Sequence, residues 1–287
     1  MKQIYTISEI REYVEKAHLE NKVIGFVPTL GYLHDGHLSL VRGAREECDV
    51  VIVCIFVNPT QFGPGEDFDK YPRDIERDKG LAAGEGVDVI FTPSVEEIYP
   101  DGFDVSVELE SPVTEIMCGR SRPGHFNGVM TIVAKLFNIV EPDKSYFGQK
   151  DAQQSFIIKR MTKGLNFPVE IRVMPIAREE DGLAMSSRNI YLSEEERPQA
   201  LGLVRSLKRA EEMVSGGEVS AEVIKEEMKK ILLEGKDVKI DYIETVDWDS
   251  LEPVDAAGDN TLIAVAAFIG NTRLIDNIVV LQHAKKE

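Results

Sequence analysis

Cysteine is scarce in this chain: Cys48, Cys54 and Cys118 are its only three among 287 residues. An odd number without a Cys-x-x-Cys spacing argues against a disulfide framework and a zinc knuckle, and predicts a reducing, cytoplasmic setting. Basic residues are outnumbered, 33 Lys and Arg against 50 Asp and Glu, giving a net charge of −17 with His neutral. Broad binding to nucleic acid or to an anionic membrane needs a basic face, so neither partner is predicted. No apolar run approaches the roughly 18 residues of a membrane span. The start, Met-Lys-Gln-Ile-Tyr-Thr-Ile-Ser-Glu, lacks an apolar signal core and predicts no export. Three motifs are missing as well: a Gly-x-x-x-x-Gly-Lys-Ser/Thr phosphate loop, a Gly-x-Gly-x-x-Gly after the first strand, and a Gly-x-Ser-x-Gly elbow. Covalent nucleophile chemistry and dinucleotide redox chemistry are therefore poorly supported.

What is present describes an ordinary globular chain, 43% hydrophobic and 29% charged, able to bury a sizeable core. Thr6 to Glu9 reads as a capping box ahead of Ile10, Tyr13, Val14 and Ala17 on one helical face. Lys22–Pro28 is a short apolar strand, Thr29–Gly36 a loop, and the helical pattern begins at His37. Asp49–Val57 is a nearly continuous β-branched run, as in a parallel strand buried on both faces. Alternation continues with helices at Arg73–Ala83, Asn127–Val140 and Asp151–Thr162, and strands at Val87–Phe91, Lys144–Phe147 and Val169–Met174. This pattern predicts an α/β fold, a doubly wound (Rossmann-like) parallel sheet. After about Pro175 the character changes. A polar loop leads to a second capping box at Ser193-x-x-Glu196, then two charged helices split by Gly216-Gly217, then strand-like stretches at Val238–Val246 and Leu262–Ile269. A Rossmann-like domain over 1–175 and a smaller α+β C-terminal domain over 176–287 are predicted.

Two of the five histidines share one loop, as His34-Asp35-Gly36-His37. The loop follows a strand and ends where a helix begins, and a helix N-terminus offers N–H groups and partial positive charge to an anion. Gly31 and Gly36 allow backbone to approach a ligand closely. The plainer interpretation is a solvated His34 and a helical His37. His-x-x-His is also a metal spacing, needing a third ligand such as Asp35 or His125. Gln61 follows the second long strand and would face the same crevice, since ligands in open α/β sheets sit outside the carboxyl ends of strands. Phe147-Gly148-Gln149-Lys150-Asp151 repeats the strand–glycine–helix layout, with Asp151 as the expected cap, Lys150 as a cation that a phosphate would suit, and Gln154 one turn on. Met185-Ser186-Ser187-Arg188 offers two hydroxyls and a guanidinium to a polyphosphate. Arg120 to Phe126 is a further cationic segment, readable equally as surface loop.

Taken together these segments resemble the pantoate–β-alanine ligases, nucleotidyltransferases with a His-x-Gly-His motif. The resemblance rests on Phe26–Leu40, Phe56–Phe62, Tyr71-Pro72-Arg73, Arg122–Phe126, Phe147–Asp151 and Met185–Arg188, and it covers essentially the whole chain. Departures are small: Leu30 stands where Met is usual, Tyr32 where Ala is usual, and Gln149 where Glu is frequent. The resemblance implies ATP-dependent condensation of pantoate with β-alanine through a pantoyl adenylate, releasing pyrophosphate and AMP. It implies ATP as substrate, Mg²⁺ as neutraliser, a homodimer, and a C-terminal domain closing over ATP. By the same likeness, Leu30, Gly31, Tyr32, Leu33, His34, Asp35, Gly36 and His37 bind ATP, as do Gly148, Gln149, Lys150, Asp151, Ala177, Met185, Ser186, Ser187 and Arg188. His34 and His37 contact phosphate, with His37 at the proton-donor position, and Lys150 and Arg188 stabilise phosphate charge. Gln61 and Gln154 match pantoate-binding glutamines. Metal ligands stay open, with Asp74 and Asp78 able either to hold Mg²⁺ or to be solvated.

Overall fold

A computed structural model describes residues 1–280. The chain forms two compact units, Met1–Gln149 with Gln154–Pro175, and Lys150–Gln153 with Ile176 onward.

The first unit holds strands β1 (Lys2–Ile4), β2 (Ile24–Thr29), β3 (Val50–Ile55), β4 (Val89–Phe91), β5 (Lys144–Gly148) and β6 (Glu170–Met174). Its helices are α1 (Ile7–Leu19), α2 (Asp35–Glu47), α3 (Ile75–Gly84), α4 (Val95–Ile98), α5 (Met117–Ser121), α6 (His125–Val140) and most of α7 (Ala152–Gly164). The strands form one parallel sheet in the order β1-β4-β3-β2-β5-β6. From β2 the chain runs outward through β3 and β4, then resumes on the other side with β5 and β6. The strand order therefore reverses between β2 and β5, where an open α/β sheet leaves its crevice.

Local chemistry explains the elements. Thr6 and Glu9 form the reciprocal cap of α1, the Glu9 N–H donating to Thr6 Oγ1 at 3.3 Å and the Thr6 N–H to Glu9 Oε2 at 3.2 Å. In β2 and β3, Val27, Val51 and Val53 pack with Val41 and Ala44 of α2, while Phe26 and Ile52 are fully buried on the alternate positions. Both faces are thus covered, which is why β3 reads as an unbroken apolar run. All three cysteines are buried in this unit.

The second unit carries α8 (Arg197–Ser215), α9 (Ala221–Leu232) and an antiparallel sheet of β7 (Val238–Asp247), β8 (Thr261–Ile269) and β9 (Thr272–Val280). Leu203 and Leu207 of α8, Ile224 and Met228 of α9, and Ile263 and Val265 of β8 share its core. The Ser193–Glu196 box is present, with N–H bonds in both directions, but it closes a turn before α8 starts at Arg197. Pro198 then sits in the first helical turn, where a missing N–H costs nothing.

Two strands escape the sequence pattern. β1 has three residues and only one is buried. β9, Thr-Arg-Leu-Ile-Asp-Asn-Ile-Val-Val, carries Asp276 and Asn277 in its middle, and both are 2% exposed. Buried polar residues inside a strand hide it from hydropathy.

Candidate active site

The loop after β2 is built around two left-handed residues, Gly31 at φ 85° and Tyr32 at φ 50°. A Cβ on Gly31 would lie 2.7 Å from Ile55 Cγ2, so a side chain there would have to push the Ile55 side chain aside. The Thr29 hydroxyl donates to the Cys54 carbonyl at 2.8 Å and accepts from the Gly31 N–H at 3.1 Å, tying the loop to the end of β3. The next two amides go to one carboxylate: Tyr32 N–H to Asp78 Oδ2 and Leu33 N–H to Asp78 Oδ1, both 2.7 Å. Leu33 is fully buried.

Helix α2 begins earlier than the sequence pattern predicts. His34 is its N-cap and His37 its third residue, so Asp35 and Gly36, which look like turn formers, are helical. The His34 N–H donates to His37 Nδ1 at 3.3 Å, and the two rings stand 4.0 Å apart at 31°. A nitrogen that accepts carries no proton, so neutral His37 holds its proton on Nε2, which becomes its donor. Two imidazoles thus share a helix N-terminus, where backbone dipoles favour an anion. The one acidic residue of this turn, Asp35, is paired with Arg42 at 2.5 Å, which offsets its charge.

Gln61 ends a 3₁₀ turn, Pro59–Gln61, after β3, whose last residue Ile55 pairs with Thr29 of β2. Asn58 is fully buried beneath this turn. Its amide donates to Gln61 Oε1 and to the Gly128 carbonyl, each at 3.1 Å, and its oxygen accepts from the Tyr99 hydroxyl at 2.8 Å. With its carbonyl oxygen held by Asn58, Gln61 offers a ligand its NH₂. The Gln61 backbone carbonyl accepts from His125 Nδ1 at 2.8 Å and Arg122 at 3.3 Å, and Arg122 donates to His125 Nε2 at 3.0 Å. Arg122 in turn grips Glu66 at 2.6 and 2.7 Å. Burial works against the Glu66 carboxylate, and the Arg122 guanidinium more than offsets this, holding the carboxyl below its ordinary value. Gly128 fits because a Cβ there would fall 2.3 Å from the Thr60 carbonyl. The Arg122–His125 segment is therefore an internal brace for Gln61.

Gly148 closes β5, its carbonyl accepting from the Ser155 hydroxyl at 3.2 Å, and Gln149 opens a 3₁₀ turn that runs to Asp151. α7 starts at the next residue, with Gln154 half-buried in its first turn. In the second unit, the Lys150 ammonium lies 3.5 Å from Asp151, and the Lys150 carbonyl accepts from Asn277 Nδ2 at 3.1 Å. Arg178, next to Ala177, binds Asp276 bidentately at 2.7 and 3.0 Å. Arg178 also bridges to Ala184, and the Met185 N–H donates to the Ala177 carbonyl at 3.0 Å. Ser186 caps the turn Ser187–Tyr191 by accepting from the Arg188 N–H at 3.2 Å. Adjacent β9 residues therefore fasten the Lys150 backbone and Arg178, the neighbour of Ala177.

The described residues bring no set of metal ligands together. Asp78 is 1% exposed and its oxygens are committed to two amides, while Asp74 caps α3 by accepting from the Arg77 N–H at 3.1 Å. Asp74 is an exposed, solvated carboxylate that caps a helix, and Asp78 is a buried one turned to backbone. The third ligands considered for His34 and His37 are engaged elsewhere, Asp35 with Arg42 and His125 with Gln61 and Arg122. Among the described residues no group of three or more His, Cys, Asp or Glu could hold a metal ion.

A family model described as Pantoate-beta-alanine ligase matches residues 2–279. The chain is 59% identical to the pantothenate synthetase of Thermotoga petrophila over 279 residues, 97% of this chain and 99% of that protein. It is 54% identical to that of Moorella thermoacetica over 97% of this chain and 98% of that protein. The chain belongs to the pantoate–β-alanine ligase family. Among solved structures, pantothenate synthetase from Thermus thermophilus superposes with a TM-score of 0.93 at 45% identity, covering 98% of this chain and 100% of that one. The ligase from Francisella tularensis, solved with β,γ-ATP and β-alanine, gives 0.79 at 35% identity, covering 97% of each. The protein is accordingly an enzyme, a ligase that condenses pantoate with β-alanine at the expense of ATP. No helix among the described residues is long and apolar enough to cross a membrane.

One residue of this candidate site, Asn58, was not singled out from the sequence. Asn58 could have been found from its place before Pro59, since an Asn ahead of a helical proline is a natural cap. Substituting Asn58 by Ala strips partners from the Gln61 amide oxygen, the Gly128 carbonyl and the Tyr99 hydroxyl. A buried group left unsatisfied costs about 1–3 kcal/mol, so a lowered melting temperature and a raised KM for pantoate are expected. Calorimetry and steady-state kinetics check both. An unmoved melting point with an unmoved pantoate KM would show that Asn58 is no brace.

Proposed function

We propose that the condensation runs in two half-reactions whose phosphate chemistry is served by the Leu30–His37 loop. In the first, a pantoate carboxylate oxygen attacks the α-phosphorus of ATP, the P–O bond to pyrophosphate breaks, and pantoyl adenylate forms. In the second, the β-alanine amine attacks the acyl carbon, the C–O bond to AMP breaks and the amine loses a proton, leaving pantothenate. Both nucleophiles belong to substrates, so the protein needs no reactive serine or cysteine. Its work is to position the reactants and stabilise developing charge.

The observation that carries the assignment is the bond from the His34 N–H to His37 Nδ1, which leaves an Nε2–H donor at a helix N-terminus. In this scheme His37 donates to phosphate oxygen as charge builds, His34 adds a second contact, and residues 30–37, 148–151, Ala177 and 185–188 receive ATP. Lys150 and Arg188 supply positive charge to the phosphates, which an acidic chain has to gather locally. Gln61 and Gln154 hold pantoate, Gln61 through its NH₂, and Gln61 also meets β-alanine on arrival. Mg²⁺ would enter with the nucleotide as a further neutraliser of phosphate charge. In this reading the enzyme works in the cytoplasm as a homodimer.

Isotope exchange tests the route. With β-alanine omitted, pantoate-dependent exchange of labelled pyrophosphate into ATP should persist while pantothenate formation stops. Exchange that needs β-alanine, or none at all in an enzyme that still makes pantothenate, would exclude the adenylate.

A further inference from the structure

We propose that Asp78 is the positioning residue of the ATP loop, acting through the backbone of Tyr32 and Leu33 without touching nucleotide; this rests on the assignment of residues 30–37 to ATP. Tyr32 is held at φ 50°, a conformation that residues with a Cβ adopt only when their surroundings enforce it. The enforcing group is the Asp78 carboxylate. Its two oxygens take the successive N–H groups of Tyr32 and Leu33 at 2.7 Å, directly upstream of His34. Arg77, the preceding residue, lays its guanidinium 4.7 Å from the centre of the Tyr32 ring and reaches Asp78 Oδ1 at 3.3 Å. The ring and the backbone of Tyr32 are therefore held from the same turn of α3.

Helix α3 is itself fixed at both ends. Asp74 caps its start, and Glu85, just past its end, is bound by Arg42 of α2 at 2.7 and 3.1 Å. The same Arg42 holds Asp35, the first residue of α2. α3 thus works as a strut, gripping the loop through Asp78 and the first turn of α2 through Glu85 and Arg42. Between these two grips lie His34 and its N–H bond to His37. Burying a carboxylate opposes its ionisation, and here it pushes the Asp78 carboxyl up despite two amide bonds. A group kept inside against that penalty, with no solvent-facing role, is one whose contacts define the loop.

Asp78→Asn tests the assignment, because the amide keeps the shape but turns one acceptor into a donor facing an N–H. The expected result is a fall of about 10²-fold in kcat/KM for ATP, the usual effect of displacing a reacting group by about 1 Å, with KM for ATP raised. Hydrogen exchange at Tyr32 and Leu33 should quicken while amides of β2 and β3 keep their protection. Adding Tyr32→Gly to Asp78→Asn should recover part of the ATP kinetics, since glycine takes positive φ freely. A purely structural Asp78 would instead lower the melting temperature and leave kinetics of the folded fraction unchanged, which overturns the proposal. If Asp78→Asn does not fold, native-state exchange in the parent decides: Tyr32 and Leu33 amides protected with α3 support the anchor, and exchange at free-peptide rates overturns it. Parent enzyme that lacks pantoate-dependent pyrophosphate exchange would instead remove the ATP assignment, while the amide data would still report on Asp78.

Discussion

Replacing His37 with alanine should lower kcat by about 10²–10³-fold, the loss typical of one preorganised donor to developing negative charge. The expectation follows from what the ring is given by the chain. Its Nδ1 accepts from the His34 N–H, so the proton of the neutral ring rests on Nε2. His37→Gln, whose terminal NH₂ reaches roughly as far as Nε2, should retain more activity than alanine, although it gives up the fixed orientation. Rapid-quench measurement of adenylate formation is the appropriate assay, since a slow later step could mask the change. A His37→Ala rate within a few-fold of the parent would remove the imidazole from the chemistry, and equal rates for Ala and Gln would remove its donor.

Asp276→Ala should destabilise the second unit by about 3 kcal/mol, the low end for a buried ion pair that loses one partner. Asp276 is 2% exposed and accepts two bonds from Arg178. The Arg178 side chain keeps 28% of its surface in solvent, which moderates the penalty of stranding it. Urea unfolding followed by far-UV circular dichroism gives the value. Arg197→Ala is the useful contrast, because both members of its pairs with Glu179 and Asp181 keep about a third of their surface in solvent, where such pairs contribute roughly 0–1 kcal/mol. Combining Asp276→Ala with Arg178→Met should restore part of the loss by removing the stranded charge. A double variant no more stable than Asp276→Ala would mean that the cost comes from elsewhere in β9.

The sheet was legible because β3 and its neighbours are buried on both faces and spell their burial in Val and Ile. The His-x-Gly-His turn was legible because glycines and two rare histidines coincide where a strand gives way to a helix. Its exact register was not, since Asp35 and Gly36 favour turns and the cap is a histidine, so α2 starts ahead of the apolar pattern. Asp78 was noticed only as a metal-binding or solvated carboxylate, and its burial stayed hidden for a different reason. It lies among Glu76, Arg77 and Lys79 on a short polar helix, and nothing in that lettering distinguishes the buried carboxylate from the exposed ones. The Arg122–His125 brace was likewise invisible as a partner of Gln61, because its contacts reach across more than sixty residues of chain. β9 was missed because its most consequential residues, Asp276 and Asn277, are the polar ones.

The sulfur atoms of this enzyme are a gauge of its integrity. Cys48, Cys54 and Cys118 are all at or below 8% exposure, and burial pushes the Cys48 and Cys54 thiols up, away from the reactive thiolate. Alkylation of the native protein has to wait for the chain to open, so its pace measures opening rather than accessibility. A cysteine introduced at an exposed site such as Leu19, 77% in solvent, would then be the one sulfur that a dye reaches at once.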